Sequence, residues 1–210
     1  MTYIKWTFRL LVLLLVGGYF HYTLPQRDIV RVVSTYEERQ DFGGWSDIFW
    51  QNTTGATADQ PVTRDVLFIQ TVQPNGEPMV YRNQDTGWGM PLYFKFDTAD
   101  LQTEAADAVS TSEAPEWVAI RHYGWRNTWL GGGIFPNALS MKPVEGPDTR
   151  LIPWFNIVFL TVFVIIALTL WRLWRNFRQA RIDPVIDEIE ETADTARTGI
   201  SGMIDRLRGR

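Results

Sequence analysis

Few residues that perform covalent chemistry stand together in this sequence. Asp85-Thr86-Gly87 matches the tripeptide of aspartic proteases, which need two such aspartates sharing a proton, but only one copy is present. It follows polar residues rather than an apolar strand, which favours a simple turn. Gly131-Gly132-Gly133 lacks the Lys-Ser/Thr that follows in a phosphate-binding loop, which favours a hairpin tip. Because no nucleophile–base pair or metal-ligand spacing is visible, we expect a non-catalytic protein.

Four polar residues from separate stretches could meet in a ligand site or serve only the structure: Arg82, Asp85, Arg121 and His122. Arg121-His122 lies in a strand pattern with no serine or aspartate beside it, which favours a structural histidine. Convergence of the four side chains in one pocket would instead favour ligand binding or catalysis. The chain has no cysteine and only two histidines, so no metal or other cofactor is expected.

Aromatic residues are dense around a glycine-rich segment of the chain. Trp125, Trp129 and Phe135 flank this segment and are candidates for contact with a membrane surface, a partner or a ligand. Packing inside a core is the alternative, because a small domain needs large apolar side chains.

The charge of the chain is unevenly distributed. The 210 residues carry a formal net charge of −4. Between Pro25 and Arg150 there are 10 basic and 17 acidic residues, which gives a net charge near −7. Because no basic stripe crosses this region, nucleic acid is not an expected partner.

The strongest structural signal is the uncharged run Leu151–Trp171. Its 21 residues suffice to cross a ~30 Å hydrocarbon core at ~1.5 Å rise per residue. We predict a transmembrane helix over residues 151–174, followed by a basic and amphipathic segment over 175–210. Four arginines follow the run and spread around a helix, as is typical of the cytoplasmic side: Arg172, Arg175, Arg178 and Arg181.

Met1–Leu24 has a basic start and an apolar continuation, which fits a signal peptide or an uncleaved anchor. Bulky residues such as Tyr19 and Tyr22 stand where a cleavage site needs small ones, so we predict an anchor over residues 1–24. Lys5 and Arg9 then face the cytoplasm. Both termini are therefore expected in the cytoplasm, with residues 25–150 across the membrane.

Residues 25–150 have the pattern of a β-rich domain. Pro74-Asn75-Gly76-Glu77 predicts a hairpin, and Asp97 or Thr98 can cap a helix that continues to about Ser110. The fold class is therefore an α+β membrane protein, in which two transmembrane helices flank a small antiparallel sheet or partly open barrel. The predicted strands are Ile29–Val33, Asp65–Gln73, Pro78–Arg82, Tyr93–Phe96, Trp117–Tyr123 and Ala138–Val144.

The C-terminal tail has its own periodicity. Asp183-Pro184 predicts the start of a helix, and apolar residues then recur at alternating spacings of three and four. This pattern predicts an amphipathic helix that docks on a partner, pairs with a second copy or lies on the membrane. The candidate contact residues are Ile186, Ile189, Ile200, Met203 and Leu207.

Five stretches between Tyr22 and Asn156 carry a family resemblance: Tyr22–Pro25, Val80–Trp88, Tyr93–Asp97, Arg121–Arg126 and Lys142–Pro147. They resemble a proteobacterial inner-membrane family that is catalogued only as a domain of unknown function. The resemblance implies a bacterial inner membrane and a periplasmic outer domain. It implies no activity, cofactor or catalytic residue.

Together these features favour a non-catalytic accessory or scaffold protein of the bacterial inner membrane. Such a protein would contact membrane lipid and engage a larger membrane complex or a second copy of itself. The alternative is a periplasmic module that binds envelope glycan or lipid through a Trp-rich surface.

Overall fold

The computed structural model describes residues 2–42, 62–89, 91–127 and 134–185. Two compact units, Met1–Trp154 and Phe155–Arg210, are described separately below. The elements in chain order are α1 (Thr2–Thr23), β1 (Gln26–Phe42), β2 (Val62–Val72), β3 (Pro78–Asn83), α2 (Thr98–Asp107), β4 (Trp117–Tyr123), β5 (Asn137–Pro143) and α3 (Trp154–Phe177). Predictions for nine residues lie outside the described ranges and stay predictions: Trp129, Gly131, Gly132, Gly133, Ile186, Ile189, Ile200, Met203 and Leu207.

Two helices are long and apolar enough to cross a membrane. The first candidate span, Tyr3–Thr23, lies in α1, and the second, Trp154–Val185, contains α3. Neither span has buried residues in its most apolar window, so these apolar side chains are not part of a described core. This exposure is unfavourable in water, and it agrees with the two predicted spans.

The second helix continues beyond its apolar part. A π-helical turn, Arg178–Ile182, follows α3, and Asp183 keeps a helical φ of −58° and ψ of −44°. Pro184 has no N–H to donate to the preceding turn, so one bond of the regular helical pattern is missing there. The prediction that a new helix starts at Asp183 is therefore wrong, because the existing helix continues to Val185.

The five strands close into a barrel in the order β1-β2-β3-β5-β4. Strand β1 is long enough to serve two neighbours, since its first part pairs with β4 and the remainder pairs with β2. All pairings are antiparallel except that of β3 with β5, which is parallel. The α+β class is confirmed, but the sheet is mixed rather than antiparallel and the barrel is closed rather than partly open.

The turn between β2 and β3 confirms the predicted hairpin. Gly76 adopts a φ of +85°, a conformation that glycine takes without steric cost. Its N–H donates to the Gln73 carbonyl at 2.9 Å, and the Asn75 side chain accepts from the N–H of Glu77 at 3.0 Å.

Helix α2 lies between β3 and β4 in the chain and packs on the barrel interior. The Asp85 carboxylate holds its first turn, accepting bonds from the Thr98 N–H at 3.1 Å and the Thr98 hydroxyl at 2.6 Å. The expected cap at Asp97 makes no side-chain bond, and the helix ends at Asp107 rather than Ser110. The main core contains Val30, Val32, Ile69, Tyr81, Leu101, Ala105, Val118, Ile120 and Ala138.

The predicted strand Tyr93–Phe96 is wrong. This segment is irregular, and Phe94 has a φ of +50° that a strand does not allow. Aromatic residues favour strands because they suit a half-buried pleated surface. Here the rings pack against other aromatic rings without strand pairing.

Strand order and helix position together define the architecture. A five-stranded barrel closed in this order, with a helix between the third and fourth strands, is the arrangement of the OB fold. OB barrels bind oligonucleotides in some proteins and oligosaccharides in others. The fold alone therefore assigns no function.

Candidate functional site

The end of α1 is bonded to two loops of the barrel. The N–H of Gly124 donates to the Tyr22 carbonyl at 2.9 Å, and the Tyr93 hydroxyl donates to the Thr23 carbonyl. Only Leu24-Pro25 separates α1 from β1. Because short covalent and non-covalent connections act together, they fix the orientation of the barrel on α1.

Aromatic side chains complete this contact, which we call the joint (His21–Thr23, Tyr93 and Tyr123–Trp125). The Trp125 indole N–H donates to Nδ1 of His21 at 2.8 Å. Tyr22 meets Trp125 edge-on with ring centroids 5.4 Å apart, and Tyr93 stacks on Tyr123 at 5.1 Å. Such ring pairs stabilise a contact by about 0.5–1.5 kcal/mol each beyond the area they bury.

Two of the predicted contact residues have partners within the barrel unit. Trp125 belongs to the joint and remains 40% exposed. Phe135 packs edge-on against Phe68 with centroids 5.2 Å apart, and the Arg126 guanidinium lies 4.3 Å from its ring. Their contact with a membrane, partner or ligand stays a prediction, but both also serve local packing.

The four polar candidates have different partners. Arg82 is buried and interacts with the side chain of Tyr22, whereas Asp85 caps α2. Arg121 lines cavities on the outside of the barrel, while the next residue, His122, is buried. These placements give the four residues separate structural surroundings.

His122 instead belongs to a buried cluster that sequence reasoning missed. Oδ2 of Asp28 accepts a hydrogen bond from the Tyr81 hydroxyl at 2.6 Å and lies 2.9 Å from Nε2 of His122. Burial by itself raises the pKa of Asp28. The interactions with His122, and to a smaller extent with Tyr81, lower the pKa by more than burial raises it, so the pKa lies below its ordinary value. Asp28 stands in period-two alternation with Val30 and Val32. An acidic residue on the apolar face of a predicted strand is the sequence signal that could have indicated this buried cluster.

Lys95 is a second buried charge that the sequence did not single out. Its ammonium group donates to the Asn83 side chain and, at 2.9 Å, to the Ala138 carbonyl. Burial lowers the pKa of Lys95 to about 8, although Asp97 and Asp85 oppose this effect. Lys95 therefore ties the irregular segment after β3 to the barrel wall.

We expect the barrel to become more stable as pH rises from 8 to 9.5. The pKa of Lys95 is about 8 in the fold against 10.5 ordinarily, so in this range the unfolded chain binds more protons. The gain should reach about 1–2 kcal/mol, and Lys95→Met should abolish this pH dependence. Chemical denaturation of the full chain in detergent micelles measures it, and equal slopes for the two proteins would contradict it.

An exposed aromatic patch lies on the segment between β3 and α2. Its members are Trp88, Phe94 and Phe96, of which Trp88 is 80% exposed. The Trp88 and Phe94 rings meet at 5.2 Å. The neighbouring Tyr93 bonds to the end of α1, which places the patch beside that helix end.

No cluster of three or more histidine, aspartate and glutamate side chains is arranged to hold a metal ion in the described residues. The chain is thus an OB-type barrel bonded directly to the end of a helix that is apolar enough to span a membrane. A further candidate span follows the barrel.

The chain belongs to the family described as "Protein of unknown function (DUF1523)", which matches residues 1–178. An uncharacterized protein of Haemophilus influenzae (strain ATCC 51907 / DSM 11121 / KW20 / Rd) is 36% identical over 151 residues, which are 70% of this chain and 80% of that protein. No solved structure matches the chain. The resemblance to a proteobacterial family of unknown function is confirmed.

Proposed function

We propose that this chain is a non-catalytic accessory or scaffold protein of the bacterial inner membrane. In this proposal α1 and α3 span the membrane, the barrel is periplasmic and both termini are cytoplasmic. The barrel and the C-terminal tail engage a larger membrane complex or a second copy of the chain. The observation that carries the proposal is the joint.

The joint supports a scaffold role because it fixes a surface relative to the membrane. A barrel on a flexible linker would sample many orientations. Here the bonds from Gly124 and Tyr93 to the last turn of α1 limit that freedom. A partner that meets a pre-oriented surface loses less conformational freedom on binding, which favours stable assembly.

Charges around the two helices support the proposed orientation. Lys5 and Arg9 lie near the start of α1, and four arginines lie at or after the end of the apolar part of α3. With the basic ends of both helices on the same side, the positive-inside rule favours a periplasmic barrel.

Single-cysteine labelling tests this orientation, since the chain has no cysteine of its own. We expect a membrane-impermeant thiol reagent to label Asn75→Cys in intact cells and Arg210→Cys only after lysis. Labelling of Arg210→Cys but not Asn75→Cys in intact cells would reverse the proposed topology.

The tail supplies the second part of the proposal. Ile189→Asp should weaken self-association or association with a partner at least about tenfold, because a large buried apolar side chain contributes ~1.5–3 kcal/mol. Insertion and the barrel should be unaffected. Co-purification of two differently tagged copies, and of their membrane partners, in gentle detergent measures the effect.

The control is Glu190→Lys, which lies off the predicted apolar stripe and should change association little. If Glu190→Lys and Ile189→Asp weakened association equally, the stripe would not be the contact surface.

The second candidate function is a periplasmic module that binds envelope glycan or lipid. The exposed patch around Trp88 favours it, because aromatic side chains beside a helix end suit the membrane interface or the face of a sugar. Trp88→Ser separates the two functions. It should reduce lipid or glycan binding in the second case and leave co-purification unchanged.

A further inference from the structure

Three basic side chains cluster on the face formed by β1, β4 and β5. Arg27 and Arg121 stand directly opposite each other in the β1–β4 pairing, an arrangement in which like charges repel. Lys142 on β5 is two residues from Ser140, the partner of Arg121. It therefore lies on the diagonal, within reach of a long side chain.

These three side chains line a cavity of about 260 Å³. Its remaining lining contains Ser140 and apolar residues but no acid. In the described part of the chain, none of the three cations forms a salt bridge. This concentration of positive charge stands out in a region whose net charge is near −7.

Arg121 is held in place without all of its donors being used. Its guanidinium lies 5.9 Å from the Tyr93 ring centroid, within the range of a cation–π contact. Its buried Nε finds no hydrogen-bond acceptor among the residues that the structure describes. A positioned arginine with an unused buried donor, beside two further cations, suits an anionic ligand.

The residues that line the cavity are close in sequence to both candidate spans. Arg27 follows the last residue of α1, Thr23, by four residues, a distance of at most ~14 Å along an extended chain. Its guanidinium also donates to the Ile152 carbonyl at 3.4 Å, just before α3 begins. If α1 and α3 span the membrane as proposed, the cavity is within reach of the lipid headgroups, which occupy about 5–8 Å on each side.

We infer that the cavity between Arg27, Arg121 and Lys142 binds the phosphate group of an anionic phospholipid headgroup. A guanidinium group can bind two oxygens of one phosphate at the same time, and the lysine adds a point charge. A soluble phosphate ester shares this chemistry. The position of the cavity beside the start of β1 and beside Leu151, both of which adjoin candidate spans in the sequence, favours lipid.

Native mass spectrometry of the full chain in detergent tests the inference, with phosphatidylglycerol as the probe and phosphatidylcholine as the neutral comparison. We expect Arg121→Gln combined with Lys142→Gln to weaken phosphatidylglycerol retention about 25-fold. Each basic side chain near a membrane surface contributes ~1 kcal/mol, or about fivefold. Lys142 is exposed, so Lys142→Gln alone should leave the barrel folded. This variant should weaken phosphatidylglycerol retention about fivefold.

The matched control is Arg39→Gln, which removes an exposed arginine further along β1 and should change retention less than about twofold. The arginines after α3 can also bind the lipid, but they are present in every variant, so their contribution to retention cancels in the comparison. Equal retention by all variants would overturn the site. Displacement of the lipid by millimolar inorganic phosphate would overturn the lipid assignment. Because the experiment is done in detergent, its result does not depend on the proposed topology.

Discussion

Replacing Asp28 with alanine should lower the free energy of unfolding of the barrel by about 2–4 kcal/mol. Tyr81 is fully buried and the His122 side chain is 4% exposed, and both would lose the carboxylate they share. The Asp28 side chain itself is 30% exposed, which keeps the expected cost below that of a fully buried ion pair. Denaturation in detergent micelles, followed by near-ultraviolet circular dichroism, measures the loss.

Asp65→Ala is the control for Asp28→Ala. Asp65 is exposed on β2 and stands opposite Arg39, so its loss should cost less than about 1 kcal/mol. If both variants lost the same stability, Asp28 would have no special structural role.

The Asp28 cluster also has an expected pH dependence. The pKa of Asp28 is lower in the fold than ordinarily, so the unfolded chain binds the proton first as pH falls. Its stabilising contribution is therefore present above the ordinary pKa, near 4, and disappears as pH falls through the folded pKa. The stability difference between the natural chain and Asp28→Asn should shrink accordingly below about pH 4.

Gly124→Val should loosen the joint and destabilise the barrel by about 1–3 kcal/mol. Gly124 has a φ of +95°, and a Cβ there would lie 3.5 Å from the Cα of Pro136 and 3.7 Å from the Tyr22 ring. Valine is branched at Cβ and cannot adopt this backbone without strain. The bond from the Gly124 N–H to the Tyr22 carbonyl should weaken as the backbone shifts.

Distances between two spin labels measure the loosening directly. Labels at Leu10→Cys in α1 and Ala106→Cys in α2 should give a narrow distance distribution in nanodiscs. Gly124→Val should broaden it. Gly146→Val is the matched control, because a Cβ at Gly146 meets nothing within 4 Å. An unchanged distribution in Gly124→Val would mean that the joint does not fix the barrel.

Local signals predicted much of the barrel. The strand Trp117–Tyr123 is found as predicted. Asn75-Gly76 forms the predicted turn between β2 and β3 because the required backbone conformation is local. Closure of the barrel was not predictable in this way. It depends on the pairing of β1 with β4 and of β3 with β5. Neither pairing produces a recognisable pattern in the local sequence.

The candidate site was less accessible to sequence reasoning. Four residues were grouped by type: Arg82, Asp85, Arg121 and His122. The face of the sheet on which a strand residue lies depends on the strand register, which residue type does not reveal. Arg121 and His122 are neighbours that point to opposite faces of β4, so one lines an outer cavity and the other reaches Asp28 inside. The joint was invisible because α1 and the loop around Gly124 are far apart in sequence.

The sharing of β1 between two neighbours has a consequence for the kinetics of folding. Gln26 pairs with His122, 96 positions later. Such a contact forms slowly, because closing a long loop costs conformational entropy before the contact stabilises the chain. The first part of β1 is synthesised directly after α1 but must wait for β4. During that interval it presents an unpaired edge to which other chains can add. Substitutions that slow β4 formation should therefore lower the yield of folded protein more than their effect on equilibrium stability would suggest.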